Sequence, residues 1–404
     1  MCKLGCWALT CVLLTSAWVW AAQTADPPAA DTAAPAGEDA AADAAAPGEP
    51  PAPAGVALEY LRPLTGIESG RNDSNPVWSR SGRLIGFERS RGEKKELLVA
   101  RNDGSIVETI YFQLSEGSQE PRFYFPGVLE ETSYNAGIAW SPDDRRLVFM
   151  SNGGEGNYDL YLRELGGKTA RLTHHREKDG HADWSPADGR IAFVSGRSGK
   201  GDVYVADPGG APPRRLTVAD RPFLYPQWSP DGKRIAVIHG ANENHDIIVI
   251  DGLDKPQPRL TALTTWEHDD LRPVWSPDGK WIAFYSNYNE HNDPKIWAIL
   301  VVAADGSDPK SGAGLAARVV ATDVVPDVER GPAWLPDSRR ILYVKDDRLE
   351  YNPIRLVDLR DGSNHPVPTG TQVNHDLACA PTGEFAFRAQ VDQWDQIFIG
   401  RLKE

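Results

Sequence analysis

Sulfur-containing residues are scarce in this chain of 404 residues, which has four cysteines and two methionines. Three of the cysteines lie within the first 11 residues. If that segment is removed, only Cys379 remains, so the mature chain cannot form an internal disulfide. Zinc sites built from cysteine pairs are excluded for the same reason. We therefore expect stability to come from stacked sheets.

Positive charge is also in short supply, with 43 Lys and Arg against 57 Asp and Glu and a net charge of −14. Residues 1–22 carry one positive charge and residues 23–57 carry six negative charges, which leaves −9 on residues 58–404. Nucleic acid and anionic lipid both bind basic surfaces. The charge balance therefore disfavours either as the main partner.

Several catalytic motifs are absent from the sequence. It contains no Gly-x-Ser-x-Gly nucleophile elbow, no His-Glu-x-x-His zinc motif and no phosphate-binding loop. These absences count against serine peptidases of the α/β-hydrolase kind, zinc proteases and nucleotide hydrolases.

The first 57 residues divide into two segments. Residues 1–22 contain one Lys followed by an apolar run that ends in small residues, which predicts a secretory signal peptide. The alternative is an uncleaved anchor, because the run is only slightly shorter than the roughly 20 residues of a membrane-spanning helix. Residues 23–57 are rich in Ala and Pro and lack Lys and Arg, which predicts a disordered acidic linker.

The remainder, residues 58–404, contains a repeated sequence motif, which is clearest at Trp275–Phe284. Pro-Asp-Gly within it favours a tight turn, and the alternating apolar residues that follow favour a strand. The Trp-type positions are Trp78, Trp140, Trp184, Trp228, Trp275, Trp334 and, with Cys in place of Trp, Cys379. Their spacings of 62, 44, 44, 47, 59 and 45 residues match the roughly 40–45 residues of a propeller blade.

Each repeat predicts four strands. An Asp opens the third strand, at Asp159, Asp202 and Asp246, and an Arg-Leu-Thr string forms the fourth, at 171–173, 215–217 and 259–261. Because they recur, we interpret these aspartates and the tryptophans as structural. The last repeat lacks a fourth strand, and Tyr60–Thr65 supplies a copy of it. The sequence thus predicts an all-β, seven-bladed propeller of four-stranded antiparallel blades, closed by the N-terminal strand, with six blades as the alternative.

These motifs resemble the TolB-like propeller repeat over residues 58–404. The resemblance covers only the propeller part, without the α/β domain that precedes it in TolB. Related propellers serve as a periplasmic component of the Tol-Pal system, as gating domains of prolyl-oligopeptidase-type peptidases and as oligogalacturonate lyases. The last would imply several histidines on a metal in the channel, and only His181 and His375 lie at a suitable position.

Polar residues recur five positions before each Trp-type residue, where the innermost strand begins. They predict a binding site around one mouth of the channel. The predicted set is Asp73, Asn135, Asp179, Asp270 and Glu329, with His181, Arg330 and His375 nearby. A ring of oxygens suits a hard cation such as Ca²⁺ or a positively charged segment of a partner. The alternative is that strand starts are polar simply because solvent reaches them.

An insertion at 113–134 carries Arg122, Phe123, Tyr124 and Phe125 outside the repeat. It is either a loop that contacts a partner or an extra strand against the propeller. We interpret the chain as a periplasmic or secreted, monomeric module that binds a protein or peptide, rather than an enzyme. The alternative is a metal-dependent, carbohydrate-active enzyme that resembles oligogalacturonate lyase and uses the same channel.

Overall fold

The computed structural model describes residues 56–403, apart from 93, 111–134, 153–156, 219, 242–243, 289–292, 308–316, 328 and 349–350. These residues form seven four-stranded antiparallel sheets, which confirms the seven-bladed propeller and excludes the six-bladed alternative. The helical content of the described part is one turn of 3-10 helix at Gly196–Ser198, and no helix there is long or apolar enough to cross a bilayer.

The 28 strands are numbered along the chain, and the first strand of each blade is the innermost. Blade one has β2 (Asn72–Trp78), β3 (Leu84–Arg91), β4 (Lys94–Arg101) and β5 (Ile106–Ile110). Blade two has β6 (Asn135–Trp140), β7 (Arg146–Ser151), β8 (Asp159–Glu164) and β9 (Thr169–Arg171). Blade three has β10 (Asp179–Trp184), β11 (Ile191–Ser195), β12 (Asp202–Ala206) and β13 (Arg214–Arg215).

The other four blades repeat this order. Blade four has β14 (Phe223–Trp228), β15 (Ile235–Gly240), β16 (His245–Asp251) and β17 (Arg259–Ala262). Blade five has β18 (Asp270–Trp275), β19 (Trp281–Ser286), β20 (Ala298–Ala303) and β21 (Ala317–Thr322). Blade six has β22 (Ala333–Trp334), β23 (Arg340–Val344), β24 (Ile354–Asp358) and β25 (Asn364–Pro366). Blade seven has β26 (Asn374–Cys379), β27 (Glu384–Val391), β28 (Trp394–Leu402) and β1 (Leu58–Pro63).

In blades one to five, the turn after the innermost strand is held by the Ser that follows Trp. In blade four, the Ser229 hydroxyl donates to Asp231 Oδ1 at 2.6 Å and accepts from the backbone N–H of Arg234 at 2.9 Å. Gly232 closes the turn with a φ of 67°, a conformation that glycine adopts without steric cost. Local hydrogen bonds thus fix this hairpin before any contact between blades is needed.

The aspartate that opens the third strand binds the fourth strand of its own blade. In blade three, Asp202 accepts from Arg215 Nη2 at 2.7 Å and from the Thr217 hydroxyl at 2.8 Å. The same hydroxyl accepts from the backbone N–H of Val203 at 3.0 Å. Blade two repeats these contacts, so the structural interpretation of the aspartates is confirmed.

In blade four, the predicted fourth strand at 259–261 is confirmed as part of β17, but the threonine that fastens the blade comes three residues after the Arg-Leu-Thr string. Thr264, not Thr261, accepts from the backbone N–H of Ile247 at 2.9 Å and faces Asp246 at 3.4 Å. Arg259 lies 2.7 Å from Asp251 instead. The longer hairpin between β16 and β17 moves the fastening threonine along the chain, and a sequence match does not detect this shift.

The tryptophans separate and join adjacent blades, as the sequence predicts. Trp275 Nε1 donates to the Gln227 carbonyl oxygen of blade four, and Trp334 Nε1 donates to the Val274 carbonyl oxygen of blade five, each at 3.1 Å. Cys379 Sγ lies 3.7 Å from the equivalent Ala333 carbonyl oxygen of blade six. The cysteine therefore occupies the tryptophan position in space as well as in sequence.

Closure of the ring by the N-terminal strand is also confirmed. β1 pairs with β28 as the outermost strand of blade seven. The Thr65 hydroxyl accepts from the backbone N–H of Ile397 at 3.1 Å, the bond that Thr217 makes in blade three. The two ends of the propeller thus share one sheet.

Candidate functional site

The innermost strands share a β-bulge three residues before the Trp-type position. The ladder shifts register there in every blade except the sixth. The bulge residues have positive φ: Asn75 52°, Gly137 68°, His181 52°, Tyr225 51°, Arg272 57° and Asp376 53°. A left-handed backbone is unfavourable for residues other than glycine, and a bulge re-aims its side chain. Such strain tends to occur at functional sites.

The bulge side chains of blades three to five meet one another. The rings of His181 and Tyr225 are stacked with centroids 3.9 Å apart and an interplanar angle of 17°. The guanidinium carbon of Arg272 lies 3.2 Å from the centroid of the Tyr225 ring, on which it stacks. Arg272 Nη2 lies 3.5 Å from Glu329 Oε2, which extends the row into blade six. Equivalent residues of successive inner strands therefore converge on the centre of the ring.

Blades seven and one contribute a second group. The backbone N–H of Asn75 donates to Asp376 Oδ2 at 3.1 Å, and Arg388 Nε lies 2.8 Å from the same oxygen. The Asn75 side chain is hydrogen-bonded to Glu88, which is only 5% exposed. Burial raises the pKa of Glu88 from 4.5 to about 7. This half of the site is rich in carboxylates.

Three of the predicted mouth residues, Asp73, Asp179 and Asp270, are fully buried. They begin or lie next to the start of an inner strand, as expected, but each binds within its own blade. Asp73 and Asp270 bind the second strand, and Asp179 binds the 3-10 turn that follows the second strand. Their partners are Arg89 Nε for Asp73 at 2.6 Å, Arg197 Nη2 for Asp179 at 2.8 Å and the Ser286 hydroxyl for Asp270 at 2.6 Å. Burial raises the pKa of Asp270 to about 8. These buried carboxylates thus make contacts within their own blades at the end where the inner strands begin, and they do not form a solvent-exposed ring of carboxylates.

The other predicted residues are distributed as follows. Asn135 begins β6. Glu329 is exposed, while Arg330 is half-buried and its backbone N–H donates to Asp327 Oδ1 at 3.0 Å. Burial, and then the Arg388 guanidinium, lower the pKa of His375. The predicted partner-loop residues Arg122, Phe123, Tyr124 and Phe125 lie outside the described residues.

A cavity of about 180 Å³ lies between blades six and seven at this mouth. It exists because β22 has only two residues, Ala333 and Trp334, whereas the other inner strands have six or seven. Pro332 has no N–H to continue the ladder. Gly331 fills the bulge position beside blade five, and a Cβ there would lie 2.5 Å from the Arg272 carbonyl oxygen. The residues before Ala333 are therefore not paired with β23, and the cavity lies beside them.

The cavity combines apolar walls with carboxylates. Its lining includes Tyr285, Val325, Asp327, Glu329, Leu342, Tyr343, His375, Asp376, Leu377 and Arg388. Burial raises the pKa of Asp327, and the neighbouring Asp376 carboxylate adds to this effect. Burial also raises the pKa of Tyr285. The cavity is thus a partly desolvated space with an excess of acidic groups, which favours a positively charged ligand group.

The opposite end of the channel is crossed by one side chain. Arg80, in the turn after β2, donates from Nη2 to the Trp184 carbonyl oxygen of blade three at 2.8 Å. The same nitrogen lies 3.6 Å from Asp183 Oδ1. Arg80 therefore spans from blade one past blade two to blade three, at the end where the inner strands finish.

The candidate metal ligands at this mouth do not converge. Across the described ranges, no three His, Cys, Asp or Glu side chains lie together in a way that could hold a metal ion. His181 and His375 belong to separate parts of the mouth, and burial lowers the pKa of His181 to about 3.

Several residues of this candidate site escape a reading of the sequence alone. Glu88, Asp327, Asp376 and Arg388 lie outside the position five residues before Trp that appeared to mark the mouth. The sequence does contain one usable signal: three residues before each Trp-type position stand Asn, Gly, His, Tyr, Arg, Gly and Asp. Glycine and asparagine at a fixed position inside a strand indicate a bulge.

Comparison with known proteins agrees with this architecture. A family model described as the TolB beta propeller domain matches residues 127–311, whereas no curated protein sequence matches the chain. A puromycin-hydrolyzing peptidase from Mycobacterium tuberculosis is 12% identical, covering 82% of this chain and 52% of that one, with a TM-score of 0.61. Oligogalacturonate lyase from Vibrio parahaemolyticus is 11% identical, covering 85% and 94%, with a TM-score of 0.59.

TolB from Acinetobacter baumannii is 17% identical over 75% of this chain, with a TM-score of 0.47, and this chain spans 65% of its length. The peptidase and the lyase share the fold of this chain, and identities this low leave the chemistry of each site open. Residues 127–311, which span blades two to five, are similar to the TolB beta propeller domain.

Proposed function

We propose that this protein is an exported binding module that takes a segment of a protein or peptide into the channel mouth where the inner strands begin. The observation that carries the proposal is the row His181, Tyr225 and Arg272, three side chains on strained bulges that stack at the centre of the ring. Aromatic and arginine side chains presented on a rigid scaffold are the groups that dominate protein–protein binding energy.

Two further features support this mouth as the binding end. Arg80 reaches from blade one to blade three at the other end of the channel. The insertion that contains Arg122–Phe125 precedes β6 in the sequence, and β6 begins at this mouth. We therefore propose that the insertion contributes a contact next to the channel. Export to the periplasm or the exterior is proposed from the signal-like residues 1–22.

Peptide display against the purified full chain tests the proposal. Peptides selected on the wild-type protein are measured for affinity to Tyr225→Ala and to a control variant, Trp281→Ala. Trp281 is an aromatic residue that is 36% exposed and begins β19, at the opposite end of the sheets. We expect Tyr225→Ala to weaken binding by about tenfold or more, since removal of a central aromatic residue at an interface commonly costs about 2 kcal/mol.

The control should bind the same peptides as tightly as the wild type. If both variants bind equally well, or if Trp281→Ala is the one that loses affinity, the channel mouth is not the binding site. Thermal unfolding of both variants shows whether either result reflects a loss of folding.

The enzyme alternative, a metal-dependent carbohydrate lyase, has less support. It needs at least three protein ligands from different blades around one metal ion, at about 2.0–2.6 Å. The described residues place no such group, and the likeness to oligogalacturonate lyase is one of fold. The acidic lining of the mouth would also repel an acidic sugar.

A further inference from the structure

We propose that the cavity between blades six and seven is a pocket for one cationic side chain, arginine or lysine, of the bound segment, with Asp327 as its counter-ion. This inference rests on the proposed function and adds to it the chemical class of residue that the mouth selects. It follows from the hydrogen bonding of Asp327, from the pairing of the neighbouring charges and from the shape of the cavity.

Asp327 uses only one of its two carboxylate oxygens. Oδ1 accepts the backbone N–H groups of Glu329 and Arg330 at 2.8 and 3.0 Å, which fixes the loop before β22. Oδ2 is buried and has no hydrogen-bond partner among the described residues. A buried carboxylate oxygen without a partner is unfavourable by a few kcal/mol, and a ligand that supplies an N–H donor removes that penalty.

Two of the neighbouring cations, Arg388 and Arg272, are engaged elsewhere, and the nearby charge of Arg330 offsets part of the rise in the pKa of Asp327. Arg388 lies between Asp376 and Asp395, with Nε 2.8 Å from one carboxylate and Nη1 2.9 Å from the other. Arg272 stacks on Tyr225 and faces Glu329. Arg330 contributes its backbone N–H to Asp327, but the described structure has no ion pair between their side chains. The Asp327 carboxylate is thus the acidic group of this cavity that a ligand could pair with.

The dimensions favour a single side chain. The cavity volume of about 180 Å³ is smaller than the roughly 300–1,000 Å³ of pockets that enclose a whole drug-sized ligand. The walls from Tyr285, Val325 and Leu342 can pack along an aliphatic stem, as the stems of Lys and Arg commonly do. Aromatic rings also attract cations electrostatically. Exposed Glu329 lies at the rim, where the head of an incoming side chain would first meet negative charge.

A pair of isosteric probes tests the pocket on the purified full chain. N-acetyl-arginine amide and N-acetyl-citrulline amide differ in charge and hardly in shape, and N-acetyl-lysine amide with its Nε-acetylated form provides the second arm. Affinities are measured by NMR titration for the wild type and Asp327→Asn, which keeps an oxygen to accept the two backbone N–H groups. We expect the wild type to prefer the arginine or lysine probe over its neutral counterpart by about tenfold.

Asp327→Asn should abolish this preference while keeping the thermal unfolding midpoint of the wild type. The control variant is Asp361→Asn, an exposed carboxylate in the turn between β24 and β25, and it should retain the full preference. Equal binding of charged and neutral probes by the wild type overturns the inference. So does a preference that survives in Asp327→Asn.

The two proposals fail separately. If displayed peptides depend on Tyr225 but the probes show no charge preference, the binding module stands and the cationic pocket is wrong. If the probes discriminate through Asp327 while no peptide depends on Tyr225, the pocket stands as a site for a small cation and the peptide-binding proposal is wrong.

Discussion

Glu88 shows how much the environment changes a single residue at this mouth. It lies in β3, is 5% exposed and is hydrogen-bonded to the bulge residue Asn75. Burial raises its pKa to about 7, while Lys95 offsets part of that rise. An acid with this pKa is partly neutral near neutral pH, so its protonation influences both folding stability and the charge of the mouth.

Because the pKa of Glu88 is raised in the folded state, the folded protein holds a proton that the unfolded chain releases above pH 4.5. The stabilisation is fully present below pH 4.5 and is lost as the pH rises through about 7. Relative to Glu88→Gln, we expect the free energy of unfolding of the wild type to fall by on the order of 3 kcal/mol over this window. Urea unfolding at several pH values measures it.

The control for this prediction is Glu267→Gln, which removes an exposed carboxylate. That variant should follow the wild type at every pH. A wild-type curve parallel to that of Glu88→Gln would show that Glu88 ionises normally in the folded protein.

At the scale of the element, the blade is fastened by a threonine hydroxyl between its two outer strands. Thr217 does this in blade three and Thr65 in blade seven, where the accepted N–H belongs to Ile397 and the threonine comes from the other end of the chain. Thr65 is 6% exposed, so water cannot replace the bond. The bond therefore contributes directly to closure of the ring.

Thr65→Val keeps the shape of the side chain and leaves the Ile397 N–H without its acceptor. We expect the free energy of unfolding to fall by about 1–3 kcal/mol, the usual penalty for a buried donor left unsatisfied. Thr65→Ser retains the hydroxyl and should be clearly less destabilised. Equal losses for valine and serine would indicate that the methyl group, not the hydroxyl, is what blade seven needs.

At the scale of the molecule, no blade can bury both of its faces alone, so stability depends on an unbroken ring. β1 covers the edge of β28, and without it that strand would present unpaired N–H and C=O groups. The ring is further tied by Arg80, which reaches from blade one to blade three across the channel.

Removal of residues 1–65 should therefore lower the thermal unfolding midpoint and promote self-association through the exposed edge of β28, which size-exclusion chromatography detects. Removal of residues 1–55 alone keeps β1 and is the control. That shorter truncation should keep the midpoint of the full chain and should elute at the volume expected for its own monomer. A stable monomer lacking residues 1–65 would contradict the role of β1 as the closing strand.

The sequence by itself determined the class of fold, the number of blades, the tryptophan spacers and the closing strand. It could do so because each follows from a local pattern that recurs at a regular spacing. These patterns are the Pro-Asp-Gly turn motif and the alternation of apolar residues in the strands. The same repetition separated the structural aspartates from candidate site residues. The fourth strand of blade four follows from the Arg-Leu-Thr string, but the fastening role of Thr264 does not, because it lies outside that string.

Only the tertiary structure decided which side chains meet at the mouth. A bulge re-aims the residue three positions before Trp, and so it brings His181, Tyr225 and Arg272 together while burying Asp73 and Asp179 in their own blades. The cavity arises in blade six, where Pro332 directly precedes an inner strand of only two residues. Both effects depend on contacts between blades that are distant in sequence, whereas a repeat pattern records only what each blade does for itself.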